Sequence, residues 1–99
     1  MNAEIDAEKV LKELRKIFPS LRLRYPLKQM ALFGSVARGD ATTQSDIDIL
    51  VEVDPKIGLQ MVDLAEELES RLHHKVDLVS SRAIRSHMMK TIQEDLQYV

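Results

Sequence analysis

Apolar residues recur at Val10, Leu11, Leu14, Ile17 and Phe18, a spacing that lines one face of a helix at about 3.6 residues per turn. It predicts a helix over residues 6–18, ended by Pro19 and Ser20, with Arg22 to Pro26 as a basic connector. The short apolar run Met30-Ala31-Leu32-Phe33 stops at Gly34-Ser35 and reads as a buried strand. Residues 39–44 are polar and predict a loop. From Asp46 to Val53 the pattern alternates: Ile47, Ile49, Val51 and Val53 take one face, and Asp46, Asp48, Leu50 and Glu52 take the other. That is a strand with one face in the core. Pro55 and Gly58 mark a turn. Met61, Leu64, Ala65, Leu68 and Leu72 form the inner stripe of a second helix over 59–73, with Asp63, Glu66, Glu67 and Glu69 outward. Val76 to Val79 predicts a third strand. Ser80 or Ser81 would cap a last helix carrying Ile84, Met88, Ile92 and Leu96 at four-residue steps.

The predicted order is α-β-(short α)-β-α-β-α. Strands alternating with helices define an α/β (α+β) domain, a small sheet with helices packed on it. Ninety-nine residues suit one domain, which can bury a single core and is only marginally stable alone.

Composition removes several classes of chemistry. The chain has no cysteine, so disulfides, thiolate zinc sites and cysteine nucleophiles are excluded. No apolar run approaches the ~20 residues of a membrane span. The acidic start, Met1 to Asp6, lacks the apolar core of a signal peptide, which makes a cytoplasmic location the expectation. The net charge of −2 argues against unaided nucleic-acid binding, which calls for a basic surplus. That net value hides an asymmetry. Residues 1–30 hold seven Lys/Arg and four Asp/Glu, whereas residues 31–79 hold four and ten. The acidity is concentrated in the middle of the chain.

Three features there converge. Gly34-Ser35 follows the first strand directly, and glycine lets a ligand approach the backbone closely. A helix starting at Ser35 or Val36 would offer free N–H groups to a phosphate, with Arg38 one turn along. A plain strand-to-helix turn capped by Ser35 has the same pattern. On a strand, Asp46 and Asp48 share a face. Two carboxylates so close raise each other's pKa unless a cation separates them, and hard oxygen donors suit Mg²⁺. A solvated strand face produces the same alternation. Asp77 sits between Val76 and Leu78, costly if buried without a partner. It completes a three-carboxylate cluster if the third strand lies beside the second, and otherwise is an acid bonded to a loop at the sheet end. Three carboxylates against two Mg²⁺ leave about +1, which favours a nucleoside triphosphate. His73 and His74 read as cations at a helix C-terminus. Arg22, Arg24, Lys28 and the face Glu66, Glu67, Glu69 read as solvated, and Tyr25 and Tyr98 have no readable role.

The run Gly34-Ser35-Val36-Ala37-Arg38-Gly39 followed, beyond residues 40–44, by Ser45-Asp46-Ile47-Asp48-Ile49-Leu50-Val51 resembles the signature of the DNA polymerase beta-like nucleotidyltransferases. The short length is similar to that of the minimal members, antitoxins paired with HEPN-domain toxins. The resemblance is strong over residues 31–79. It implies a nucleotidyltransferase fold, a small mixed sheet flanked by helices, with residues 1–99 as one minimal domain. It implies that Gly34 and Ser35 hold the triphosphate with Arg38, and that Asp46, Asp48 and Asp77 bind two Mg²⁺ ions. Ser45 would orient Asp46 and border the nucleotide. The implied reaction is transfer of AMP from ATP to a tyrosine hydroxyl of a HEPN ribonuclease toxin, in a hetero-oligomer with that toxin and with no direct nucleic-acid or membrane partner. Two other readings stay open: a nucleotide-binding antitoxin that neutralises its toxin by occlusion, and a nucleotidyltransferase for a small molecule.

Overall fold

The computed structural model describes residues 5–99; Met1–Glu4, within the stretch read above as no signal peptide, lie outside the described residues. The chain forms α1 (Ala7–Arg24), β1 (Leu27–Phe33), α2 (Gly34–Arg38), β2 (Ile47–Val53), α3 (Gln60–Leu72), β3 (Val76–Ser80), α4 (Ser86–Gln93) and β4 (Gln97–Tyr98). Two 3₁₀ turns, Pro55–Ile57 and Ser81–Ala83, precede α3 and α4. The four strands form one mixed sheet in the order β3-β2-β1-β4. β1 runs antiparallel to β2 and β4, and β2 runs parallel to β3, because α3 carries the chain back over the sheet between them.

The core lies where α1 and α3 cover one sheet face. Ile47, Ile49, Val51 and Val53 are all buried there, as their alternation predicted. Leu14 and Leu21 of α1, with Leu64 and Leu68 of α3, are fully buried against them. Leu50, on the opposite sheet face, is buried as well. A shallow gap joins it to Ser81, Met89 and Leu96, so the segment after β3 covers that face in part. Among the described residues no helix is long and apolar enough to cross a membrane.

Two predicted boundaries are corrected. α1 does not end at Phe18; it runs through Pro19 to Arg24, taking in most of the supposed connector. Proline removes one intrahelical N–H and crowds the carbonyl four residues back. Both Pro19 and Arg15 are exposed, so water can satisfy the freed carbonyl. Leu21 continues the stripe of Leu14 and Ile17 into the core. The last turn is held further by Tyr25 N–H to Leu21 O at 2.9 Å and by Arg24 Nη1 to Glu67 Oε1 at 2.8 Å. Tyr25 Oη also donates to Glu67 at 3.0 Å. Arg24, Tyr25 and Glu67 therefore tie α1 to α3.

The single C-terminal helix is also corrected. Ser80 caps the 3₁₀ turn, its hydroxyl accepting from Arg82 N–H at 3.3 Å, and α4 spans only Ser86–Gln93. Ile84 and Leu96 fall outside it. The chain then pairs with the free edge of β1, Ala31 opposite Tyr98 and Leu32 opposite Gln97. Pairing that edge satisfies backbone groups a longer helix would leave open.

Candidate active site

The sheet register assembles the acidic cluster. Asp48 lies opposite Asp77 across the β2–β3 pair and opposite Phe33 across the β1–β2 pair. Phe33 leads directly into Gly34, so the glycine turn arrives beside Asp48. Gly34 has φ +77°, and a Cβ placed there would overlap Asp48 Oδ2. Glycine is needed at this position twice over, for the left-handed backbone and for the space its missing side chain leaves to the carboxylate.

Asp48 is half-buried, whereas Asp46 and Asp77 are exposed. Its carboxyl is pushed up to about 6. Burial contributes most, then the charge of Asp77, then that of Asp46, with a hydrogen bond to Asp77 adding to them and the Arg38 charge opposing. Asp77 and Asp46 are thus close enough to Asp48 to disfavour its charged form. Among the described residues, no three His, Cys, Asp or Glu side chains already converge at metal-ligand geometry. Two expectations change here. Asp46 precedes β2 rather than lying within it. Asp77 avoids the burial cost foreseen for it, because β3 is an edge strand and Asp77 is open to water.

The turn leads into a short helix, as expected, that begins at Gly34 rather than at Ser35 or Val36. α2 has five residues, too few for a sizeable macrodipole, so an anion there would depend on individual N–H groups and on Ser35. Arg38 is not aimed at an empty cleft. Its Nε donates to Asp40 Oδ2 at 3.1 Å and its Nη1 to Asp95 Oδ2 at 2.8 Å. Ser45 does not orient Asp46 through its hydroxyl. That oxygen accepts from Thr42 N–H at 3.0 Å and closes the loop after α2.

Four contacts around the site had no sequence signal. His74 Nε2 lies 2.6 Å from Ser45 O and ties the entry of β2 to the end of α3; the helix-terminus reading of this residue missed that bond. Glu69 Oε2 accepts from Val76 N–H at 3.0 Å and fixes the start of β3, so this acid is not simply solvated. Asp95 holds Arg38, and Gln97 Nε2 donates to Ala37 O at 2.9 Å. Each joins residues at least seven positions apart, and no local pattern marks them.

The sheet thus sets a glycine turn at the end of one strand beside acids on the next two. The chain belongs to the Nucleotidyltransferase domain family, whose profile matches residues 8–99, and it is a nucleotidyltransferase enzyme. A Methanocaldococcus jannaschii protein assigned provisionally as a protein adenylyltransferase is 41% identical over 99 residues, 95% of each chain. The protein adenylyltransferase MntA of Thermococcus cleftensis is 38% identical over 81 residues, covering 80% of this chain and 81% of that one. Among solved structures, a minimal nucleotidyltransferase superposes with TM-score 0.76 at 31% identity, over 97% of this chain and 98% of the other. A chain from a toxin–antitoxin complex with AMP-PNP gives 0.66 at 30% identity, over 93% and 70%. A chain from the Shewanella oneidensis complex of tri-AMPylated HEPN toxin and MNT antitoxin gives 0.66 at 28%, over 90% and 70%.

Proposed function

We propose that this protein is an antitoxin that transfers AMP from ATP to a tyrosine hydroxyl of a partner HEPN-domain toxin, acting as one domain over residues 1–99. The observation that carries the reading is the register of the sheet, which sets Asp48 beside Asp77 and lays the Asp48 carboxylate over Gly34. The relatives' names support the protein substrate, and the tri-AMPylated toxin complex supports the partner.

Divalent cations fit this donor set. Burial pushes the Asp48 carboxyl up most, and the charges of Asp77 and Asp46 add to it; that added charge is what a cation between the acids would neutralise, and carboxylate oxygens suit Mg²⁺. Asp46, Asp48 and Asp77 would hold two Mg²⁺ ions, which when bound would lower the pKa of an attacking hydroxyl and neutralise charge developing on the phosphates. The chain's own residues do the remainder. Gly34 leaves room for the Asp48 carboxylate to sit directly against the turn. The backbone at Gly34–Ser35 and the Ser35 hydroxyl orient the triphosphate, and the Arg38 guanidinium binds its outer oxygens. Ser45 and His74 together fix the backbone that presents Asp46.

Purified protein, Mg²⁺, ATP labelled in the α-phosphate and the HEPN protein encoded beside it should yield label on that protein, and tyrosine should carry it by mass spectrometry. Asp46→Asn and Asp48→Asn should abolish labelling. Toxin rescue in cells by the double variant would favour occlusion over catalysis. Label on a small molecule in place of the protein would favour the small-molecule reading.

A further inference from the structure

Residues 95–97 reach back to the phosphate turn from the far end of the fold. Arg38 is shared by two acids of different character. The Asp95 side chain is 14% exposed and that of Asp40 is 60% exposed. A pair open to water holds its partner weakly, so Asp95 is the acid that fixes the guanidinium. Asp95 is itself fixed, its N–H donating to Ile92 O at 2.9 Å at the end of α4. Two residues on, the Gln97 side chain binds the carbonyl of Ala37, and the Gln97 backbone pairs with Leu32 in the strand that leads into the turn.

A guanidinium has five N–H donors. Among the described residues, Asp40 and Asp95 engage one each, which leaves three for an anion. Arg38 closes the short helix that starts at Gly34, which keeps the guanidinium close to the glycine turn. A long side chain already held in place loses less freedom when it binds a ligand.

We propose that Asp95 is a positioning residue for nucleotide binding: by gripping Arg38 through Nη1 it holds the remaining guanidinium donors ready for the triphosphate. This rests on the reading of Arg38 as a nucleotide contact. Gln97 serves the same end by holding the backbone one residue before Arg38.

The test is calorimetric titration of the full chain with α,β-methylene ATP and Mg²⁺. Asp95→Ala should weaken binding by about two- to tenfold, the weight of immobilising one long side chain. KM for ATP should rise by the same factor, with kcat at saturating ATP unchanged. Arg38→Ala should weaken binding at least as much, and adding Asp95→Ala to Arg38→Ala should cost nothing further. Asp95→Asn keeps the shape and an acceptor oxygen while losing the charge. It should fold as the parent by circular dichroism and bind with intermediate affinity. Unchanged affinity in Asp95→Ala, with Arg38→Ala impaired, overturns the positioning role and leaves the function intact. An equal loss with and without Arg38 overturns it in favour of general support of the fold. Full affinity in Arg38→Ala removes the reading of Arg38 and this inference together.

Discussion

The crowded Asp48 carboxyl makes the stability of the metal-free protein depend on pH in a defined direction. In the folded chain this group titrates near 6, against its usual 3.8. The folded state therefore binds the proton more tightly than the unfolded state. The favourable contribution is complete below 3.8 and is lost as pH rises through 6. The whole displacement corresponds to at most ~3 kcal/mol, and water at this half-buried side chain reduces that to ~1–2 kcal/mol. Asparagine resembles the protonated acid at every pH. Asp48→Asn in EDTA should match the parent near pH ~4 and exceed its unfolding free energy by ~1–2 kcal/mol near pH ~8. Urea unfolding followed by circular dichroism across that range measures the difference, which should open between the two pKa values and then stay flat. A variant less stable than the parent at the alkaline end would refute the claim that burial and charge crowding disfavour the ionised Asp48, and so would a difference independent of pH.

Mg²⁺ should raise the Tm of the parent at alkaline pH and leave that of Asp48→Asn nearly unchanged, as read by differential scanning fluorimetry; equal shifts in both would place the cation elsewhere. Gly34→Ala should lower stability by ~1–3 kcal/mol, from the left-handed backbone alone and more from the overlap with Asp48, and should abolish transfer; a Tm within a degree or so of the parent would contradict the close approach. Leu21→Ala should cost ~2–5 kcal/mol, as for other fully buried leucines, because the turn beyond Pro19 is part of the core. An urea midpoint close to that of the parent would instead mark that turn as frayed.

The residues of the candidate site are more legible in the sequence than the frame around them. Gly34, Ser35, Asp46, Asp48 and Asp77 stand beside short strands whose burial pattern is strong, and alternation alone fixed which face of β2 enters the core. Pairing was not legible in the same way. That Asp77 faces Asp48 is a property of the β2–β3 register, which the residues suggest only if the strands are assumed adjacent. Pro19 misled because a proline on the exposed side of a helix with a buried stripe beyond it costs less than its local signal implies. β4 escaped notice because two residues are too few to show a period. Asp95 and His74 escaped because their bonds span 57 and 29 residues. Arg38 stands out in the sequence as a candidate anion contact, whereas the acids that hold it do not.

The Asp48–Asp77 register has a consequence for the life of the protein. A slip of β3 by one residue would turn Asp77 to the opposite face and bring Val76 out of the core. The correct alignment depends on α3 seating Leu64 and Leu68 and on Glu69 gripping the first N–H of β3. The acidic centre therefore exists only where the crossover has docked. A chain still folding, or folded out of alignment, holds the same residues without the cluster. The assembled acids thus serve as the molecule's own certificate that its sheet has been built correctly.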